Sequence, residues 1–506
     1  MNYSPAGMYI WDAWYMPVPG GLHMYHLQRT RHPGDAAADR VQDQLGHAFT
    51  TDLIDWRELA PVLGPNPADP DDDRQPWTGS AVHHQGKSYL YYTMRGSRTD
   101  CREQHIGLAM GDDGNAFVRY AGNPVITPDP RWYATPAAPT HGTVDCRDLI
   151  VIKDPAGPGW YGYFATRRPA ATLPETTVIG CAYSDDLLQW RQLPPAFTSA
   201  KYACVEVPDV FFMDGRWYMT CLTGNIYGNR RIFTDPNLCF GTIYLVAEHP
   251  AGPFYELADN VLLGAKASAP LSVRSFLWEG ERHILYTDRE RGKRSDGEAV
   301  GFGTVTTPKV LKTSGDALGV AYSDRIEKKA GKDIVFDWET VKKKWAEAWG
   351  QLWPLQSGQL SLGDAIRITN PTCWSVLPLA QPLPSFILEA EVTLEDCSAA
   401  GFCVRQADRG SGDLLMLDAR EQAVHFEAHP WCDFIEKRQA AITQHRPYRL
   451  RVVNRLEHLE VYVDDILKLA FSRYRGIGGD LGLFVESGSA VFRNLRLREL
   501  NVVAPQ

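Results

Sequence analysis

No stretch of this chain approaches the roughly 20 consecutive apolar residues of a membrane-spanning helix, so a membrane partner is not expected. A basic cluster is also missing. Lys and Arg number 52 against 61 Asp and Glu, a formal net charge of -9, which offers no electropositive face for nucleic acid. The ten cysteines lack the close paired spacings of a zinc site; most, such as Cys181 and Cys221, fall in apolar strand-like contexts and read as buried free thiols. The opening residues, Met1-Asn2-Tyr3-Ser4-Pro5, show no basic region followed by an apolar run. A cytoplasmic location is therefore the expectation.

Aromatic residues are plentiful, at 11% with 15 Trp and 22 Tyr. Such a content suits both a β-rich core and a sugar-stacking surface, and does not by itself choose between them. A length of 506 residues exceeds one ordinary core, so two or three domains are expected.

The domains are defined by a repeat. Five aromatic strands follow a glycine-containing turn, beginning at Gly21, Gly86, Gly159, Gly215 and Gly280, and these glycines lie 65, 73, 56 and 65 residues apart. Each is preceded by a short apolar strand. Several are followed by a third strand ending in a shared signature, Ala48 to Trp56 and Ala182 to Trp190, in which a Ser/Thr-Asp turn precedes a Trp that opens a fourth strand. Four strands in five successive units predict an all-β fold, a five-bladed β-propeller over residues 1–325. Residues 326–352 read as a linker with a short amphipathic helix, Trp345 and Trp349 gripping a neighbouring surface. From residue 353 to 506 short alternating strands return and predict a β-sandwich, whose expected role is a structural buttress.

The first strands of a propeller converge on one central channel, so polar residues at their starts meet despite wide sequence separation. Those starts carry Trp11-Asp12-Ala13-Trp14, Trp77-Thr78-Gly79-Ser80, Cys146-Arg147-Asp148-Leu149, Val205-Glu206-Val207-Pro208-Asp209 and Ser272-Val273-Arg274-Ser275. Three of the five offer a carboxylate at what is read as the equivalent point. Glycosidic cleavage needs a proton donor for the leaving oxygen and a carboxylate on the opposite face, and a third acid can bind ring hydroxyls and raise the donor's pKa. The assignment is Asp12 as nucleophile, Glu206 as acid/base, and Asp148, oriented by Arg147, as hydroxyl binder. Trp11, Trp14 and Trp77 are expected to wall the pocket, with Ser80, His47 and Arg274 as further hydroxyl contacts. Asp209 is expected to fix its turn, and Asp52, Asp55 and Asp185 to be turn or cap residues of the outer strands.

These motifs resemble glycoside hydrolase family 32, the β-fructofuranosidases. Glu206-Val-Pro-Asp resembles that family's Glu-Cys-Pro-Asp acid/base motif, Arg147-Asp148 its Arg-Asp-Pro motif, and Trp77-Thr-Gly-Ser its Phe-Ser-Gly-Ser motif. Gly46-His-Ala-Phe-Thr-Thr-Asp-Leu-Ile-Asp-Trp56 resembles the segment closing blade one. The chain departs from the pattern at Trp11-Asp12-Ala13, where the family has Trp-Met-Asn-Asp-Pro, at Leu149 in place of Pro, and at Val207 in place of Cys. The resemblance implies a retaining glycosidase that releases a terminal furanosyl unit, fructofuranosyl in preference to arabinofuranosyl, from an oligo- or polysaccharide. It implies no metal or organic cofactor. An inverting family-43-type enzyme, a fructosyltransferase and a non-catalytic glycan-binding propeller are the alternatives the sequence leaves open, as it does pairing into a homo-oligomer.

Overall fold

The computed structural model describes residues 2–501 apart from 31–43, 139–141, 170–175, 228–232, 234, 267–268, 290–302, 350–357, 381–382, 409–410, 430–431, 433, 457 and 474–478. Four separate four-stranded antiparallel sheets come first. They comprise β1 (Met8–Val18) to β4 (Arg57–Leu63) with β2 (Gly21–Thr30) and β3 (Gln44–Thr50) between, then β5 (Trp77–His84), β6 (Lys87–Arg95), β7 (Gln104–Gly111) and β8 (Val118–Arg119). The third holds β9 (Cys146–Lys153), β10 (Trp160–Arg167), β11 (Thr177–Ser184) and β12 (Arg191–Thr198). The fourth holds β13 (Glu206–Met213), β14 (Arg216–Gly224), β15 (Phe240–Ala247) and β16 (Tyr255–Ala265).

The expected fifth unit is not a separate sheet. Its strands β17 (Ala269–Trp278), β18 (Glu281–Arg289), β19 (Thr304–Val305), β20 (Lys309–Ser314) and β21 (Ala317–Ala321) run on into the C-terminal strands as one seventeen-stranded sheet. The joins are narrow. Ala321 pairs with Ile466, and β22 (Ala330–Asp333) pairs with the last strand of the chain through Ala330↔Leu500 and Asp333↔Arg498. The chain is thus all-β in a propeller-like arrangement. Among the described residues, no helix is long and apolar enough to cross a membrane.

Local chemistry sets these sheets. Gln85-Gly86, Asp214-Gly215 and Glu279-Gly280 have positive φ at both residues, the geometry of the two-residue turn whose twist matches antiparallel strands. The third and fourth strands are joined by a side-chain cap. Asp52 Oδ1 accepts the Ile54 and Asp55 amides at 2.9 Å, and Asp186 Oδ1 accepts those of Leu188 and Gln189 at 2.8 Å. Leu53 and Leu187 both sit at φ 67. The capping acid of the second loop is therefore Asp186 and not Asp185, because the residue two beyond the Ser or Thr reaches forward to the open amides two and three residues on.

Apolar faces pack sheet against sheet. Trp14 and Tyr25 meet Leu90 and Tyr92; Tyr91 and Ile106 meet Leu149 and Phe164; Tyr163 and Ile179 meet Val210 and Trp217. Ile10 and Tyr15 close the circuit against Phe276 and Leu285. The first strands touch in a ring, β1 to β5 to β9 to β13 to β17 and back to β1. Tyr3 and Val305 exchange two backbone hydrogen bonds of 2.9 Å, tying the start of the chain to the last of these units.

The linker helix α1 spans Trp338–Trp349. It starts at Trp338 because Asp337 caps it, accepting the Glu339 and Thr340 amides at 3.2 and 3.3 Å. Trp345 packs into a core formed wholly by residues from Val341 onward; the side chain of Trp349 lies outside the described residues. Between this core and the ring lies a buried ionic cluster. Lys309 Nζ sits 2.5 Å from Glu460 Oε1, and His458 Nδ1 lies 3.2 Å from Asp288 Oδ2 and its Nε2 3.4 Å from Glu460 Oε1. Tyr462 donates to Glu460 at 2.7 Å, and Ser472 donates to Asp288.

Burial alone would lower the His458 pKa, but hydrogen bonds and charge from Asp288 and Glu460 outweigh it and raise the value from 6.5 to about 9. A histidine with a raised folded pKa contributes stability that is full below about pH 6.5 and lost as pH climbs through about 9. At 1.36 kcal/mol per pKa unit the contribution is roughly 2–4 kcal/mol. The urea midpoint of the wild type should fall between pH 6.5 and 9, with His458→Gln lower at pH 6.5 and converging on it at pH 9. Parallel pH profiles for the two proteins would show that His458 is not charged in the fold.

Candidate active site

Each first strand of the ring carries a β-bulge at the same place. The pairing register shifts between Ile10 and Ala13, between Trp77 and Ser80, between Arg147 and Ile150, between Glu206 and Asp209, and between Leu271 and Arg274. Asp148, Val207 and Ser272 occupy one common position in it, each with positive φ, at 62, 52 and 53. A bulge bends the strand and re-aims the side chains beside it. It also corrects the sequence alignment of the acids. Glu206 lies one residue before the position of Asp148, level with Arg147, and so the three carboxylates do not stand at equivalent points of their strands.

They converge nonetheless. The Glu206 charge raises the pKa of Asp12, and the Glu206 and Asp12 charges both raise that of Asp148. Asp12 is held by two hydroxyls. Thr78 Oγ1 donates to Oδ2 at 2.5 Å, and Ser272 Oγ donates to Oδ1. Burial drives the Asp12 pKa upward, and the two hydroxyl donors and the Arg274 charge oppose that rise. Glu206 is held on both oxygens, Oε2 by Arg147 Nη2 at 2.9 Å and Oε1 by the Tyr227 phenol. Asp148 Oδ2 accepts the Val207 amide at 3.1 Å and lies 3.5 Å from Arg147 Nε. Burial raises its pKa most; Arg147 pulls the other way, and Glu206 and Asp12 add to the rise.

Arg147 is the common partner. Its guanidinium meets Asp145 at 3.3 Å, Asp148 and Glu206, and donates to Cys204 Sγ at 3.3 Å. Desolvation works against its charge, yet the surrounding anions hold its pKa well above the usual arginine value. Asp145 is in turn anchored by Arg167 Nε at 2.8 Å. The side chains of Asp148 and Glu206 are 4% and 18% exposed: Asp148 is the deeper acid and Glu206 the one open to a ligand.

The other expected contacts divide. Trp77 lies beside the cluster with the Arg95 guanidinium 3.7 Å over its ring, and Trp11 is half-buried with its carbonyl bonded to Thr287 Oγ1 at 2.9 Å. Trp14 is not a pocket wall; it is fully buried in the core between the first two sheets because the bulge at Trp11-Asp12 turns it inward. His47 lies on β3, away from the ring, 2.8 Å from His23 and stacked on Tyr25. Ser80 is buried beyond its bulge, and Thr78 takes the place beside Asp12. Arg274 lies beneath the acids, 1% exposed, donating to the carbonyls of Pro208 and Gly79. Asp209, expected to fix its own turn, instead accepts the Ser275 amide of β17 at 3.0 Å and so ties β13 to the next first strand.

Sequence reasoning passed over Thr78, Ser272, Tyr227 and Cys204. Thr78 and Ser272 stood inside the quoted strand starts, at the bulge position that Trp11, Asp148 and Val207 hold in the other three, and a hydroxyl repeated there was the available signal. Tyr227 lies in a turn after β14 with no repeat to mark it.

Residues 18–239 match the N-terminal domain of glycosyl hydrolases family 32; the stretch contains Asp148 and Glu206 and begins after Asp12. A family 32 β-fructofuranosidase of Bombyx mori in complex with sucrose is 17% identical, with a TM-score of 0.71 over 99% of this chain and 94% of that one. A sucrose-6-phosphate hydrolase from Lactobacillus gasseri is 13% identical, with a TM-score of 0.72 over 99% and 92%. Fructan 1-exohydrolase IIa from Cichorium intybus in complex with 1-kestose is 15% identical, with a TM-score of 0.70 over 97% and 96%. At these identities the structural likeness is one of fold, and the family match is confined to residues 18–239, which resemble the N-terminal domain of glycosyl hydrolases family 32.

Proposed function

We propose that this protein is a retaining β-fructofuranosidase that removes a terminal fructofuranosyl unit from an oligo- or polysaccharide, sucrose or a kestose-type fructan being the first substrates to try. The observation that carries the reading is the convergence of three carboxylates, one held by two hydroxyls and another by an arginine and a phenol. Asp12 is the nucleophile. Its hydroxyl donors fix the carboxylate so that it attacks the anomeric carbon without first reorganising. Glu206 is the acid/base, protonating the glycosidic oxygen and then taking a proton from water. Asp148 is kept deep and proton-avid, suited to bind ring hydroxyls. Arg147 keeps all this negative charge in one place, and its loss would leave Glu206 and Asp148 repelling each other.

The architecture that fits this reading has five blades over 1–325, the strands β17 to β21 being the fifth, a linker over 326–352, and a C-terminal sandwich over 353–506. Five first strands packed in a closed circuit support five blades over four. The separate core gathered around Ile368, Leu388, Phe402 and Phe471 supports a second domain.

The roles separate by kinetics. Asp12→Asn and Glu206→Gln should each lower kcat on sucrose by about 10²–10⁴-fold or more, and Glu206→Gln should lose less on a nitrophenyl fructofuranoside, whose leaving group needs no proton. Equal losses on both substrates would remove Glu206 from the acid role. Hydrolysis in the presence of methanol should give methyl β-D-fructofuranoside; the α anomer would overturn retention. Thr78→Val and Ser272→Ala should each cost about 10–100-fold in kcat/KM, from roughly 1.5–3 kcal/mol per hydrogen bond to a charged group. Unchanged kcat/KM in both would mean that the hydroxyls do not prepare Asp12.

A further inference from the structure

A second group of chemistry-bearing side chains lies in the C-terminal strands, outside the ring and its acids. The strands Ser411–Asp418 and Ala423–His429 form a hairpin. Asp418 ends the first, Glu421 sits in the turn and His425 lies on the second. One donor atom from each lies within 4.8 Å of the other two. Asp418 and His425 are buried and Glu421 is exposed.

The histidine makes the group unusual. Its side chain is only 10% exposed, and neither ring nitrogen has a hydrogen-bond partner. The Glu427 carboxylate stands 3.7 Å from Nε2, beyond hydrogen-bond reach. Nearly all buried polar groups are satisfied in native folds, and an exception calls for a physical reason.

We propose that Asp418, Glu421 and His425 form a binding site for a divalent transition-metal ion of the zinc type. One imidazole and two carboxylates are a common donor set for such ions, with bonds of about 2.0–2.2 Å. Donors on one ion then stand roughly 3–4 Å apart, so closing the 4.8 Å set needs only side-chain rotation. Calcium and magnesium prefer all-oxygen shells and fit the imidazole poorly.

Two existing contacts leave room for the ion. Asp418 Oδ1 accepts the Glu421 amide at 2.7 Å, which fixes the carboxylate and leaves Oδ2 for a metal. Lys437 donates to Glu421 Oε2; this ammonium is the ion's competitor and leaves Oε1 as the ligand. Bound there, the ion staples the turn between the two strands. It lies outside the reaction centre and takes no part in sugar cleavage.

The test is Zn²⁺ binding by calorimetry, with Co²⁺ visible absorption as the second readout, on the full chain and its variants His425→Gln, Glu421→Gln and Lys437→Met. One site per chain is expected, at least tenfold weaker in His425→Gln and Glu421→Gln and tighter in Lys437→Met, where the competing ammonium is gone. Glu421 is exposed, so its variant folds even where His425→Gln does not. Equal affinity in wild type and Glu421→Gln, or no saturable binding, overturns the proposal; the first outcome would assign the zinc elsewhere, such as to the exposed thiol of Cys432.

Discussion

Everything at the mouth of the ring depends on one backbone constraint, the extra residue in each of the five first strands. A regular strand alternates its side chains between two faces that are both packed here against neighbouring sheets. The bulge breaks that alternation at the strand start. It lets Asp12, Asp148 and Glu206 face one another while Trp14, Leu149 and Val207 are buried. Asp148 pays for its orientation with φ of 62, a conformation that costs an L-residue roughly 1 kcal/mol or more. That strain is held by two backbone anchors, the Asp148 amide donating to Thr93 Oγ1 at 3.1 Å and the Val207 amide donating to Asp148 Oδ2.

Threonine hydroxyls repeat this bracing around the ring. Thr93 donates to the Thr78 carbonyl, Thr166 to that of Asp145, Thr223 to that of Cys204, and Thr287 to that of Trp11, at 2.8 to 2.9 Å. All four are buried residues at the ends of second strands. The Thr78 and Trp11 carbonyls lie in bulges and those of Asp145 and Cys204 just before β9 and β13, outside the regular ladder, and a buried carbonyl without a partner costs about 1–3 kcal/mol. The threonines satisfy them from the adjacent strand or the next sheet, so the disrupted ladder stays rigid where the acids stand.

The large features of this organisation were legible in the sequence because they are local and repeated. Turn glycines at Gly86, Gly215 and Gly280, the Asp52 cap and the helix cap at Asp337 each act within a few residues, and the repeat marked where the acids would fall. What the sequence concealed is register. Reading Glu206 and Asp148 as equivalent requires an unbroken strand, and Trp14 looked like a pocket residue for the same reason; one inserted residue moves every side chain after it to the other face. His47 and Arg274 were misplaced differently: polarity near the motifs suggested sugar contact, whereas one stacks in an outer sheet and the other is buried beneath the acids. The joining of the fifth unit to the C-terminal strands rests on single bridges such as Ala321↔Ile466, for which no periodicity exists.

The C-terminal strands reach the three acids through this joint. Asp288, clasped by His458 and Ser472, is the direct neighbour of Thr287, whose hydroxyl holds the Trp11 carbonyl one peptide before Asp12. Paired charges buried at the junction add little net stability compared with apolar packing, because desolvation cancels most of their attraction. Their geometry is nevertheless demanding, since each must meet its partner or remain an uncompensated charge. An interface built this way fixes β18 in one position relative to the C-terminal core, and β18 in turn fixes the backbone that presents Asp12. Among the described residues, the C-terminal strands thus bear on the acids through backbone placement, with no side-chain bond to them.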